Sequence, residues 1–117
     1  MVASFDLVTL DVPSPDRSAQ FWCAALALHV TGREDDGRWV MLSSVDGTRR
    51  LGLQHGEARP GGVHLDLACE LDEFGSEVAR LMALGCTLSV PVRDEPYGRI
   101  ANLVDPDGYA VDLCAYR

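Results

Sequence analysis

Val63-His64-Leu65-Asp66-Leu67 decides how this chain is read, because Val8-Thr9-Leu10-Asp11-Val12 precedes it in the same pattern. In both, apolar residues fill every second position. That is the two-residue period of a strand with one core face. The segments after the two strands are also alike. After the first come Pro13-Ser14-Pro15-Asp16, where Ser14 suits an N-cap and Pro15 the first helical position. Phe21, Trp22, Ala25 and Leu26 then recur at helical spacing within a helix expected over residues 17–26. Short strands come next at 29–33, 38–43 and 49–54, with turns at Asp35-Asp36-Gly37 and Asp46-Gly47.

The second half repeats the order. A strand at 63–69 leads to a helix at 72–84, striped by Val78, Leu81, Met82 and Leu84 and closed by Gly85 at its C′ position. Strands are expected at 86–92, 99–104 and 109–116, the last pair joined by Asp105-Pro106-Asp107-Gly108. Gly37-Arg38-Trp39 is echoed by Gly98-Arg99-Ile100, Asp46-Gly47 by Asp107-Gly108, and Leu51-Gly52-Leu53 by Val111-Asp112-Leu113. Several matches in one order point to an internal duplication. The reading is a single α+β domain over 1–117, with module one at 1–55, a linker at 56–61 and module two at 62–117. The joint falls in the Gly- and Pro-rich stretch His55 to Gly62.

A chain of 117 residues is long enough to bury a core without staples. Its net charge of −8 argues against nucleic acid and anionic membranes as partners and leans toward a neutral or cationic ligand. Neither a basic start followed by an apolar run nor a membrane-length apolar stretch is present, so a cytoplasmic protein is expected. Cys23, Cys69, Cys86 and Cys114 form no CxxC pair and are read as reduced, buried thiols.

Several pieces resemble the vicinal-oxygen-chelate superfamily, which groups glyoxalases, bleomycin-resistance proteins and extradiol dioxygenases, and especially its glyoxalase-like branch. They are Leu10-Asp11-Val12-Pro13, Asp16-Arg17-Ser18, Phe21-Trp22, Gly37-Arg38-Trp39-Val40, His64-Leu65-Asp66-Leu67, Leu84-Gly85 and Asp105-Pro106-Asp107-Gly108-Tyr109. The resemblance implies two tandem βαβββ modules whose curved mixed sheet closes incompletely, with helices outside and a small-molecule cleft inside. It also implies a homodimer, because such sheets leave open edges.

Alternation sorts the strand residues. Leu7, Thr9, Gly52, Gln54, His64, Asp66, Asp112 and Cys114 are expected to face the ligand, and Val8, Leu10, Val12, Leu51, Leu53, Leu65, Leu67, Val111 and Leu113 the helices. Trp39 lies on a strand, where an aromatic serves either the core or a flat ligand; Trp22, on the helical stripe, is read as core. Tyr97, Arg99 and Asn102 are assigned to structure or rim, and His29 and His55 to solvent.

Metal-dependent members of the superfamily carry one ligand at each of four strand positions, which here hold Leu7, Gly52, His64 and Asp112. Leu7 and Gly52 cannot ligate through a side chain, so no catalytic metal or other cofactor is expected. If a divalent ion binds, His64, Asp66 and Asp112 are its candidate ligands. The first reading is therefore a small-molecule-binding protein of the bleomycin-resistance type. The alternative is a lyase, isomerase or dioxygenase in which His64 and Asp112 are catalytic, through a metal or through acid–base work by His64. Cys114 is read as packed rather than nucleophilic.

Overall fold

The computed structural model describes residues 5–61 and 63–117. Gly62, the last residue of the expected joint, and residues 1–4 lie outside the described residues. The contacts divide the chain after Ala58 into two compact units.

In the first unit, β1 (Val8–Val12) leads to α1 (Pro15–Leu26), then β2 (His29–Glu34), β3 (Trp39–Ser43) and β4 (Arg50–His55). The sheet order is β1-β4-β3-β2, with β1 parallel to β4 and the other pairs antiparallel. Ser14 caps α1 as expected, its Oγ accepting the Arg17 N–H at 3.3 Å. α1 packs on β3 and β4. Trp22, Phe21, Ala19 and Ala25 go to the core with Leu10, Val12, Val40, Leu42, Leu51 and Leu53 from the sheet. The β3–β4 connection is wider than a two-residue hairpin. Ser44 and Arg49 close it through a backbone bond of 2.9 Å. Asp46 organises its interior, accepting from the Ser44 hydroxyl and from the N–H and hydroxyl of Thr48. These bonds, Ser44 foremost, draw the Asp46 carboxyl down to about 2.

The second unit runs β5 (His64–Ala68), α2 (Phe74–Ala83), β6 (Thr87–Leu88), β7 (Arg93–Glu95), β8 (Gly98–Val104) and β9 (Ala110–Tyr116). Its order, β5-β9-β8-β6, copies the first sheet, and β5 again lies parallel to its neighbour. The duplication read from the sequence is thus a duplication of topology.

Three expectations need correction. The strand expected over 86–92 is broken. Thr87–Leu88 pairs with β8, the chain leaves after Ser89 bonds the Asn102 carbonyl, and it returns only at β7. Pro91 has no N–H to give a ladder at the break. The helical stripe of α2 is also narrower than its spacing suggests: Phe74 and Leu81 are buried, whereas Met82 is 43% exposed. The helix starts at Phe74 after a 3-10 turn, Leu71–Glu73; within it Met82 lies about 100° round from the buried Leu81 and so leaves the core. Gly85 does terminate the helix, in the left-handed region at φ 118. Of the cysteines, Cys86 and Cys114 are buried but Cys23 and Cys69 are only half-buried; all four are free.

The Asp105-Pro106-Asp107-Gly108 turn contains a buried carboxylate. Asp105 Oδ1 accepts from the N–H groups of Asp107 and Tyr109 at 2.9 and 2.8 Å, while Oδ2 is buried with no partner among the described residues. Burial therefore pushes the Asp105 carboxyl up, against those backbone bonds. Burial, reinforced by Asp105, also lifts the Cys86 thiol to about 11. A raised carboxyl favours the folded state most when protonated. That contribution is complete below the unfolded carboxyl value of about 3.9 and is lost as pH rises through the folded one. Asp105→Asn keeps the acceptor and removes the titration. Its stability relative to the natural chain should therefore rise from acid to neutral pH, as measured by urea unfolding at a series of pH values. A difference that stays constant with pH would remove the buried carboxylate from the account.

Candidate functional site

Each sheet turns one face to its helix and leaves the other open, and the open faces differ. On the second sheet the β-ladder sets Asp66 beside Asp112 and Asp112 beside Asn102, three polar residues in one row across three strands. His64 stands two residues before Asp66 on the same face, its Nε2 3.2 Å from Asp66 Oδ2. Both side chains are exposed, 56% and 73%, so this pair adds little stability. Asp112, half-buried, is held more firmly, with Oδ1 accepting from Asn102 Nδ2 at 2.8 Å. The Arg93 guanidinium donates to Asn102 Oδ1 and, through Nε, to Glu95 at 3.1 Å. The amide is thereby fixed with its NH2 toward Asp112. His64, Asp66 and Asp112 offer three ligand atoms within 4.8 Å of one another. One imidazole nitrogen and two carboxylate oxygens suit a divalent ion of the transition series.

Among the described residues, the first sheet carries no such cluster. Gly52 is buried beneath Trp39. A Cβ there would run into the far edge of the indole and lie 2.8 Å from both Leu7 Cδ1 and Thr9 Oγ1. The position therefore excludes a ligating side chain as well as lacking one, and the space is occupied by a half-buried ring. Leu7 is half-buried, and Thr9 and Gln54 are exposed. Beside Trp39 the open face dips into a groove of about 530 Å³ that also includes Thr31, Met41, Ser43 and Arg50.

The structure thus brings Leu7, Thr9, Trp39 and Gly52 together on one sheet, and His64, Asp66 and Asp112 on the other. Cys114 shares the face of Asp112 but is only 8% exposed. Arg99 is structural as read: it lies 5.0 Å over the Phe74 ring and pairs with Asp94. Asn102 is more than rim, because it fixes Asp112; its place two residues from Ile100 on the polar face was the available signal. Arg50, Met41 and Thr31 were missed. Only the pairing of β2, β3 and β4 shows that they border one hollow.

The repeated strand–helix–strand order, giving two sheets of the same topology, is that of the vicinal-oxygen-chelate class. Within it, the model of the glyoxalase-like domain matches residues 7–114, and the chain belongs to that family. Among solved structures, the fosfomycin-resistance protein FosX from Listeria monocytogenes, complexed with Mn(II) and sulfate, is similar at a TM-score of 0.81. Its identity is 16%, over 100% of this chain and 93% of that one. Protein ATC0852 from Agrobacterium tumefaciens reaches 0.82 at 21% identity, covering 99% of each chain. TnmS3, an antibiotic-binding protein from Streptomyces sp. CB03234, reaches 0.73 at 23%, over 100% and 99%. No curated protein matches significantly. Among the described residues, no helix is long and apolar enough to cross a membrane.

Proposed function

We propose that this chain binds a small organic molecule on the open faces of its sheets, as a cytoplasmic homodimer and without a catalytic metal. The observation that carries the reading is the seating of Trp39 on Gly52. Where metal-dependent relatives need a ligand, this chain has an aromatic platform, which suits recognition of a ground state rather than activation of one. TnmS3 offers a precedent in the same fold for a protein that binds an antibiotic.

One observation favours a second reading. His64, Asp66 and Asp112 supply three donors, with Asp112 already oriented by Asn102. They fit a divalent ion, although the four-position centre of metal-dependent relatives does not fit here. Such an ion, when bound, would supply Lewis-acid polarisation of a substrate oxygen. Asn102 would act as a positioning residue, leaving Asp112 Oδ2 to ligate.

The two readings part on metal content. Protein purified without chelator is expected to contain far less than one equivalent of Fe, Ni, Mn or Zn, at a level unchanged by His64→Ala. Its melting temperature is expected to rise with members of a natural-product library, by several degrees at a hundredfold excess over Kd. A stoichiometric metal that disappears in His64→Ala would instead establish the second reading.

A further inference from the structure

The groove on the first sheet has a shape and a charge pattern that select among ligands. Its floor is Trp39 and Met41, both half-buried on the open face of β3. Thr31 and Ser43 add hydroxyls along one side, bonded to each other at 3.1 Å. The two ends carry opposite charge, Arg50 and Glu34. Arg50 is the ladder partner of Ser43 and Glu34 that of Trp39. Ser43 and Trp39 are four residues apart on β3, and β4 and β2 flank it on opposite sides, so the charged ends rise from backbone about 16 Å apart, at ~3.3 Å per residue along the strand and ~4.8 Å per strand across the sheet. Side chains reaching inward leave a flat space of about two fused rings.

Arg50 is held in place without being used up. One guanidinium nitrogen bonds Asp6 at 2.6 Å, and another lies 3.9 Å from Met41 Sδ, at the groove floor. The side chain is 37% exposed. A guanidinium has further N–H groups, and a carboxylate takes two of them side by side. We propose that this groove takes a flat, conjugated organic anion, its ring stacked on Trp39, its acid group on Arg50 and a hydroxyl or amine donor toward Glu34. The chain's net charge of −8 would favour a cation at long range. Within the groove the free N–H groups of Arg50 decide, by direct hydrogen bonds to an acid beside the one Asp6 takes, because distant surface charges are screened beyond about 8–10 Å. This rests on the binding reading above and assigns that reading its ligand class.

Calorimetry on the full chain with three probes tests it, together with NMR of the indole N–H resonances. The probes are a hydroxynaphthoate with its groups at opposite ends of the ring system, naphthol, and naphthylmethylamine. The hydroxynaphthoate should bind tightest and move the Trp39 resonance but not that of Trp22, which is fully buried. Arg50→Ala should weaken the acid at least tenfold, the scale of a charge-assisted bond, and naphthol far less; an unchanged urea midpoint shows the variant folded. Equal or tighter binding of the amine, or no loss in Arg50→Ala, overturns the ligand class while small-molecule binding stands. No Trp39 response to any probe overturns the groove itself. Loss of every thermal shift in the library screen, by contrast, would overturn the binding reading.

Discussion

Gly98→Ala is expected to destabilise the chain by about 3 kcal/mol or more. Gly98 opens β8, between Glu95 on β7 and Tyr116 on β9. It is buried, and its φ is not left-handed, so backbone strain is not the reason for glycine. Space is the reason. An added Cβ would overlap the Ala115 carbonyl oxygen and lie 3.1 Å from both the Ala115 carbonyl carbon and Tyr116 Cα. These are backbone atoms of a paired strand, and they move only if the β8–β9 ladder moves. A side chain in their place would rotate away at far lower cost. Gly75→Ala is the matched control. Position 75 lies in α2 with nothing within 4 Å of a new Cβ, so alanine's helix propensity should make that change neutral to stabilising by up to about 1 kcal/mol. Urea midpoints for both variants check the pair. A Gly98→Ala midpoint close to that of the natural chain would mean the ladder yields more easily than this geometry allows.

Gly98 also marks the limit of what the sequence discloses. Gly37-Arg38 and Gly98-Arg99 align as repeats, yet the two glycines serve different needs. Gly37 has φ 83 with open space around it, and Gly98 has an ordinary φ with no space. Repetition therefore reveals the module and leaves the reason for each residue to the packing. Periodicity does well where a strand has one buried face: Leu10, Val12, Leu51, Leu53, Val111 and Leu113 are all buried as alternation requires. It does poorly where an element is short or interrupted, as in the run 86–92, because local spacing contains no information about where a partner strand ends.

The candidate site divides along the same line. Alternation alone places His64, Asp66 and Asp112 on one face, since period two fixes the face of every residue in a strand. That Asp66 and Asp112 stand side by side depends on register, and register is a property of the β5–β9 pairing. Asn102 and Arg93 enter the site only through a further strand pairing and a side-chain contact. Trp39 over Gly52 needs three strands in place at once.

Trp22→Ala is expected to cost about 3–5 kcal/mol, the range for emptying a large buried aromatic site. Trp22 has no exposed surface and meets Phe21 edge to face, with ring centroids 4.9 Å apart and planes at 82°. Its position on α1, which lies on β3 and β4, puts the indole at the seam of helix and sheet in the first unit. The indole also has a defect: its Nε1–H is buried with no acceptor among the described residues. A buried, unsatisfied donor costs about 1–3 kcal/mol. Trp22→Phe removes that donor together with part of the ring. The relief offsets much of the lost packing, and Trp22→Phe should cost no more than about 1.5 kcal/mol, far less than Trp22→Ala. Equal losses in the two variants, read from urea unfolding, would show that the N–H has a partner in solution. Because the chain has two tryptophans, Trp22→Phe leaves Trp39 as the sole indole. Its fluorescence then reports on the groove alone, and acrylamide should quench most of it, as expected for a half-buried ring on an open sheet face.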